Sequence, residues 1–227
     1  MTFDQILPLL YIFIFFFLIM IFDTCINFFM QNSIFQRSYR YFVAPGIIIH
    51  EFSHALAAII TFHKIQKINL FDLKGGYIVH EKTREPISQV IISFAPILGI
   101  SGMFLFFTWL LQPTWLQYMH SYSYKPVFEI IKNIDLTRWQ TWLHLYLSIS
   151  LAAALAPSRQ DFKVALSGIA LILLVIFILS VSSLQPIITN SLQHLYAITL
   201  FIIAFLTLAL LLSIIIYLFS KLLKLNR

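Results

Sequence analysis

Charged residues are scarce in this sequence, and long apolar runs take their place. Only 11% of the 227 residues are Asp, Glu, Lys or Arg, whereas 60% are hydrophobic and the mean hydropathy is +0.88. A water-soluble domain needs a polar surface that this composition does not supply. The composition therefore excludes a soluble domain and predicts an integral membrane protein.

Cysteine is also scarce, and clustered basic residues are missing. Cys25 is the single cysteine, so no disulfide can form within the chain. The net charge of +6 is spread over loops and the C-terminal tail rather than gathered in a stripe. This pattern fits Lys and Arg side chains beside anionic lipid headgroups. We therefore expect the lipid bilayer, and no nucleic acid, as a partner.

Six apolar runs approach the roughly 20 residues that a helix needs to cross a bilayer. The first lacks the basic start and the cleavage site of a signal peptide, so we expect it to be retained. We predict one domain over 1–227, an all-α polytopic membrane protein of about six transmembrane helices. The six runs cover residues 7–30, 42–62, 87–111, 139–156, 163–182 and 195–220.

The two longer connections between the runs differ in character. In the first, Gly75 and Gly76 precede the β-favouring run Tyr77–Val79, and a glycine pair supplies the positive φ angles of a tight turn. We therefore predict a small β-hairpin over 65–81, after the second helix. The other connection, 112–138, contains two prolines and mixed charge, and we predict an extramembrane loop there.

Lys and Arg residues near the ends of the runs set the expected orientation. The side with both termini, the hairpin and the break at 157–162 carries ten of them. The side with the loops 31–41, 112–138 and 183–194 carries five. Because cytoplasmic loops are enriched in Lys and Arg, we predict a multi-pass protein of the cell membrane with both termini in the cytoplasm.

The second apolar run contains the polar motif H-E-F-S-H at residues 50–54. Residues i and i+4 share one face of an α-helix, so His50 and His54 can bind one Zn²⁺. Glu51 is placed to act as general base on a water molecule at the metal. An ionised side chain at the centre of a membrane helix costs roughly 2.5–3.5 kcal/mol on insertion scales. The motif therefore predicts a zinc centre rather than an accidental cluster.

A catalytic zinc ion usually takes three protein ligands, so one is still missing. Asp161 lies in the break at 157–162, on the same side as the end of the second run, and can approach the metal. We predict Asp161 as the third ligand, with an N-cap of the following helix as the alternative. The other candidates lie nearer the hairpin surface, in loops or at the opposite membrane face: His63, Asp72, His80, Glu81, His120, Asp135, His144 and His194.

Three motifs together resemble the site-2-protease family of intramembrane zinc metalloproteases. They are the H-E-F-S-H motif inside an apolar run, Ser93–Pro96 at the start of the next run, and the proline-then-aspartate segment 156–161. The resemblance covers about residues 42–165, which leaves 1–41 and 166–227 as accessory spans. Ala156 and Phe162 replace the Asn and Gly that the family often has, so we expect a divergent branch.

The resemblance implies a zinc-dependent endopeptidase that hydrolyses peptide bonds of membrane-spanning protein substrates. It implies Zn²⁺ bound by His50, His54 and Asp161, with Glu51 as the catalytic residue. A further hypothesis is that the hairpin edge holds an unwound substrate segment by strand addition. Two other classes stay open: a metal carrier that uses the same three ligands, and a catalytically idle membrane scaffold.

Overall fold

The computed structural model describes residues 3–36, 38–72, 76–81, 86–118, 132, 134–155, 161, 174, 178 and 185–225. Helices account for most of these residues, and two strands form a small sheet. In chain order the elements are α1 (Phe3–Gln31), α2 (Tyr39–Phe42), α3 (Ala44–Ile60), β1 (Ile65–Asn69), β2 (Tyr77–His80), α4 (Pro86–Leu111), α5 (Pro113–Tyr118), α6 (Trp139–Ala153) and α7 (Gln185–Leu225).

Within the described residues, two helices are long and apolar enough to cross a bilayer, Ile87–Leu111 in α4 and Ile202–Leu223 in α7. Shorter apolar helices occupy Phe17–Gln31 and Ala44–Ile60. A mostly helical fold with candidate membrane spans is therefore confirmed. Of the predicted fifth run, 163–182, all but two residues lie outside the described part of the chain.

The predicted β-hairpin is confirmed. Strands β1 and β2 pair antiparallel, with Ile68 opposite Ile78 and Asn69 opposite Tyr77, and the register shifts near Ile65. Both strands lie against α3. Of the connection between them, residues 73–75 lie outside the described residues. The hairpin thus packs beside the helix that carries the H-E-F-S-H motif.

Two predicted loops contain helix instead. Helix α7 begins at Gln185, inside the predicted loop 183–194, and α5 begins at Pro113, inside the predicted loop 112–138. In both places a proline lies at the start of the helix, where its fixed φ angle is favourable and its missing N–H costs nothing. Trp115 of α5 is only 2% exposed, so this side chain is part of the core rather than of a membrane-surface belt.

The helices pack in two connected groups. Helix α3 packs against α4 and α6, while α1 packs along α7, and α6 also contacts α4 and α7. The largest buried apolar cluster joins α1, α4, α6 and α7, with residues such as Ile26, Phe104, Leu151 and Leu206. A smaller cluster of Ala57, Ala58 and Ile92 lies between α3 and α4. Helix α3 is therefore held by α4 and α6.

A glycine sets the distance between α3 and α6. The N–H of Gly46, in the first turn of α3, donates to Ser150 Oγ of α6 at 3.0 Å. N–H groups of a first turn have no partner inside their own helix. A Cβ at position 46 would clash with the carbonyl oxygen of Ser150, and it would lie only 2.8 Å from Ala154 Cβ. Only glycine therefore allows this close approach.

We expect Gly46→Ala to lower the apparent melting temperature of the detergent-solubilised protein. The added methyl group meets backbone atoms, and overpacking of this kind costs typically about 1–3 kcal/mol. Gly102→Ala is the matched control, because a Cβ there has open space within 4 Å and alanine favours a helix over glycine. If Gly46→Ala melted at or above the temperature of Gly102→Ala, the proposed contact would be wrong.

Candidate metal centre

His50 and His54 share one face of α3, as their spacing predicts. Both residues are buried at 8% exposure, and their ring centroids lie 5.0 Å apart. The opposite face of the same helix exposes Ile48, Phe52 and Leu56. Helix α3 therefore presents apolar side chains outward and both imidazoles toward α4 and α6.

Each imidazole is oriented by a backbone carbonyl. His50 Nδ1 lies 2.7 Å from the carbonyl oxygen of Ala154, and His54 Nδ1 lies 2.8 Å from that of Ile92. A carbonyl oxygen only accepts, so Nδ1 carries the hydrogen in both rings. The lone pair of each Nε2 is thereby left free for a metal. Histidines that bind metals usually donate their other N–H in this way.

Asp161 lies beside the two histidines. Its Oδ2 is 3.4 Å from His54 Nε2, and one donor atom from each of His50, His54 and Asp161 lies within 4.8 Å of the others. A distance of 3.4 Å is long for a hydrogen bond. It is close to the edge of a tetrahedron whose metal–ligand bonds are about 2.0–2.1 Å, which is roughly 3.3 Å. The spacing of this pair therefore matches two ligands of one tetrahedral metal ion, and the three donors together are close enough to hold an ion.

Glu51 lies between this cluster and the hairpin. It follows His50 on α3, is partly exposed, and is not among the three grouped donor residues. A Cβ at Gly76, just before β2, would meet Glu51 Cγ and would lie 2.8 Å from the carbonyl oxygen of Leu70. The backbone at Gly76 therefore lies directly against the Glu51 side chain, which brings the hairpin to the edge of the cluster.

Several other candidates lie elsewhere. The rings of His63 and His80 meet edge to face at the base of the hairpin, with centroids 6.3 Å apart. His144 is fully buried beside Trp115, and its Nε2 lies 2.9 Å from Thr108 Oγ1. Because the Thr108 hydroxyl already donates to the Phe104 carbonyl, His144 donates to Thr108. His144 therefore has a structural hydrogen bond, and it is not among the three grouped donors.

Asp72, Glu81 and Asp135 are exposed. His120 and the side chain of His194 lie outside the described residues.

Sequence reasoning did not find the groups that orient the imidazoles. The acceptors are backbone carbonyls of Ala154 and Ile92, and a carbonyl is present in every residue, so the side chains of these two residues do not identify them as acceptors. The close approach of Gly99 of α4 to Ser53 was also missed. Its only signal is a glycine inside a helix, which often indicates tight packing.

Comparison with known proteins gives one match. Residues 19–128 match the family model described as Peptidase M50B-like. This segment is just under half of the chain; it contains His50, Glu51, His54 and the hairpin, and it ends before Asp161. No curated protein and no solved structure matches the chain. Residues 19–128 are therefore similar to the Peptidase M50B-like family, in agreement with the predicted resemblance to site-2-protease metalloproteases.

Proposed function

We propose that this protein is an intramembrane zinc metalloprotease that hydrolyses peptide bonds of membrane-embedded protein substrates. The main support is the grouping of His50, His54 and Asp161 within 4.8 Å, with Glu51 beside them in a segment similar to metallopeptidases. The zinc ion would be held by the two Nε2 atoms and the Asp161 carboxylate. When bound, it would supply Lewis acidity that polarises a peptide carbonyl and increases the acidity of water.

Glu51 is the proposed general base. Its carboxylate takes a proton as the oxygen of a water molecule bonds to the peptide carbonyl carbon. It then returns the proton to the amide nitrogen as the C–N bond breaks, which gives a carboxylic acid and an amine. His50 and His54 take no proton in this scheme, because their Nδ1–H groups stay bonded to Ala154 and Ile92. A metal carrier using the same three ligands has no comparable role for Glu51.

The hairpin is the proposed holder of the substrate. A transmembrane substrate helix has satisfied backbone hydrogen bonds and must unwind before a carbonyl becomes accessible. A two-stranded sheet has unpaired N–H and C=O groups along its outer edges, which can add a third strand. Since Gly76 lies against Glu51, a segment added to this hairpin would pass close to the general base.

The proposed setting is a single domain with six spans and both termini in the cytoplasm. The long apolar helices α4 and α7 and the exposed apolar face of α3 support a bilayer location. Cysteines introduced singly at Lys64 and Lys132, in a Cys25→Ala background, test the orientation. An impermeant thiol reagent applied from outside should label the cysteine at 132 and spare the one at 64. The reverse pattern would contradict the orientation.

We expect Glu51→Gln to lower substrate cleavage by at least about a hundredfold, the lower range for loss of a general base. The variant should still bind about one zinc ion per chain, since the three proposed ligands are unchanged. Zinc content is measured by elemental analysis, and cleavage with a panel of purified single-span proteins. Undiminished cleavage by Glu51→Gln would contradict the mechanism. If the protein carried zinc across liposome membranes and Glu51→Gln left this flux unchanged, a metal carrier would be favoured.

Asp161→Ala should lower the zinc occupancy of the purified protein, because it removes one of three proposed ligands. Asp135→Ala is the matched control: Asp135 is exposed, and its carboxylate pairs with Arg138 at 3.0 Å. Both variants lose one carboxylate, so elemental analysis after dialysis against a weak chelator separates a specific loss from a general charge effect. Equal occupancy in the two variants would place the third ligand elsewhere.

Proline placed singly at Tyr77, Ile78 and Val79 should impair cleavage and leave zinc content unchanged. Each proline removes one backbone N–H from β2, and N–H groups alternate between the β1 side and the free edge. Threonine at the same positions keeps the N–H and favours a strand, so it serves as the control. Cleavage that stays at the control rate for all three prolines would contradict a substrate role for the hairpin.

A further inference from the structure

The carbonyl that orients His54 lacks its usual helical partner. In an α-helix the carbonyl of residue i accepts a hydrogen bond from the N–H of residue i+4. Ile92 lies four residues before Pro96, within the continuous helix α4. Proline has no N–H, so the i+4 hydrogen bond to the Ile92 carbonyl cannot form. This carbonyl lies 2.8 Å from His54 Nδ1 instead.

The surroundings of Pro96 direct this carbonyl toward α3. Proline inside a helix clashes with the carbonyl of residue i−4 and pushes it out of line. Pro96 is fully buried, and Ile92 packs against Ala57 and Ala58 of α3. A freed carbonyl in an apolar bundle needs a donor from a neighbouring element. His54, on the same helix as the two alanines, provides that donor.

The carbonyl that orients His50 is also free of a regular helical bond. Helix α6 ends at Ala153, and Ala154 follows as its C-cap. The last carbonyls of a helix have no partner within it, and that of Ala154 lies 2.7 Å from His50 Nδ1. Both imidazoles are therefore held by carbonyls that their own helices leave unused. One is freed by a helix end, and the other by a proline in mid-helix.

We propose that Pro96 is a positioning residue of the metal centre, which reserves the Ile92 carbonyl for the Nδ1–H of His54. The hydrogen bond fixes the ring so that its Nε2 faces Asp161 at 3.4 Å. This proposal rests on the proposed zinc function of the same site. Proline in a helix interior costs about 3 kcal/mol relative to alanine. A positioning role explains why a proline is present there despite this cost.

Pro96→Ala tests the proposal, because alanine restores an N–H that competes with His54 for the Ile92 carbonyl. We expect zinc affinity, measured by chelator competition, to fall about 10- to 100-fold, the usual effect of losing an outer partner of a metal ligand. The apparent melting temperature of the metal-free variant should equal or exceed that of the wild type, since alanine favours a helix. Nitrogen NMR should show a smaller Nδ1–H population for the His54 ring.

Pro113→Ala is the matched control, because Pro113 is the first residue of α5, a position where an N–H has no partner within its own helix. Its zinc affinity should equal that of the wild type. If Pro96→Ala also kept wild-type affinity, or lost affinity together with the stability of the metal-free protein, the positioning role would be wrong. If the wild type itself bound no zinc, the proposed function would fail first, so the two failures are distinguishable.

Discussion

The structure depends on one constraint: an imidazole N–H inside an apolar helix bundle must have a hydrogen-bond acceptor. An unpaired polar group in such surroundings costs several kcal/mol. His50 and His54 satisfy the constraint through the carbonyls of Ala154 and Ile92. Each bond reaches a different neighbouring helix, so the same two contacts position α6 and α4 around α3. They also place the two imidazoles beside Asp161 on the buried face of α3.

Close packing brings the donor and acceptor atoms within reach of each other. Gly46 lets α3 approach α6, and Gly99 lets α4 approach the Ser53 side chain. Ser53 lies between the two histidines in sequence, so both close approaches flank the candidate metal centre. A side chain at either glycine would separate backbones whose carbonyls must lie within hydrogen-bond distance of an imidazole. Packing and chemistry therefore impose the same requirement on these helices.

Much of the candidate site could be predicted from the sequence, because its side chains follow a spacing. His50 and His54 share a face through helical periodicity, and Asp161 lies in a break between two apolar runs that is predicted to be on the same side of the membrane. The structure brings these three together. The carbonyl acceptors could not be predicted: Pro96 indicates that the Ile92 carbonyl lacks its helical partner, but only tertiary packing decides which imidazole meets it.

The helix boundaries show a second limit. Pro113 and Pro186 lie in segments predicted to be loops, yet α5 and α7 begin there. A proline fits a loop and the first turn of a helix equally well. The sequence around it decides between them only through contacts that form in the folded protein, such as the burial of Trp115 beside His144. The hairpin carried a more specific signal, a glycine pair followed by β-favouring residues, and was predicted correctly.

The central claim is that His50, His54 and Asp161 hold one zinc ion. Zinc X-ray absorption spectroscopy of the purified wild-type protein measures this most directly. We expect a first shell of nitrogen and oxygen atoms at about 2.0–2.1 Å, with outer scattering from two imidazole rings and no sulfur. A protein that copurifies with no zinc and takes none up, or a shell containing fewer than two imidazoles, would contradict the claim.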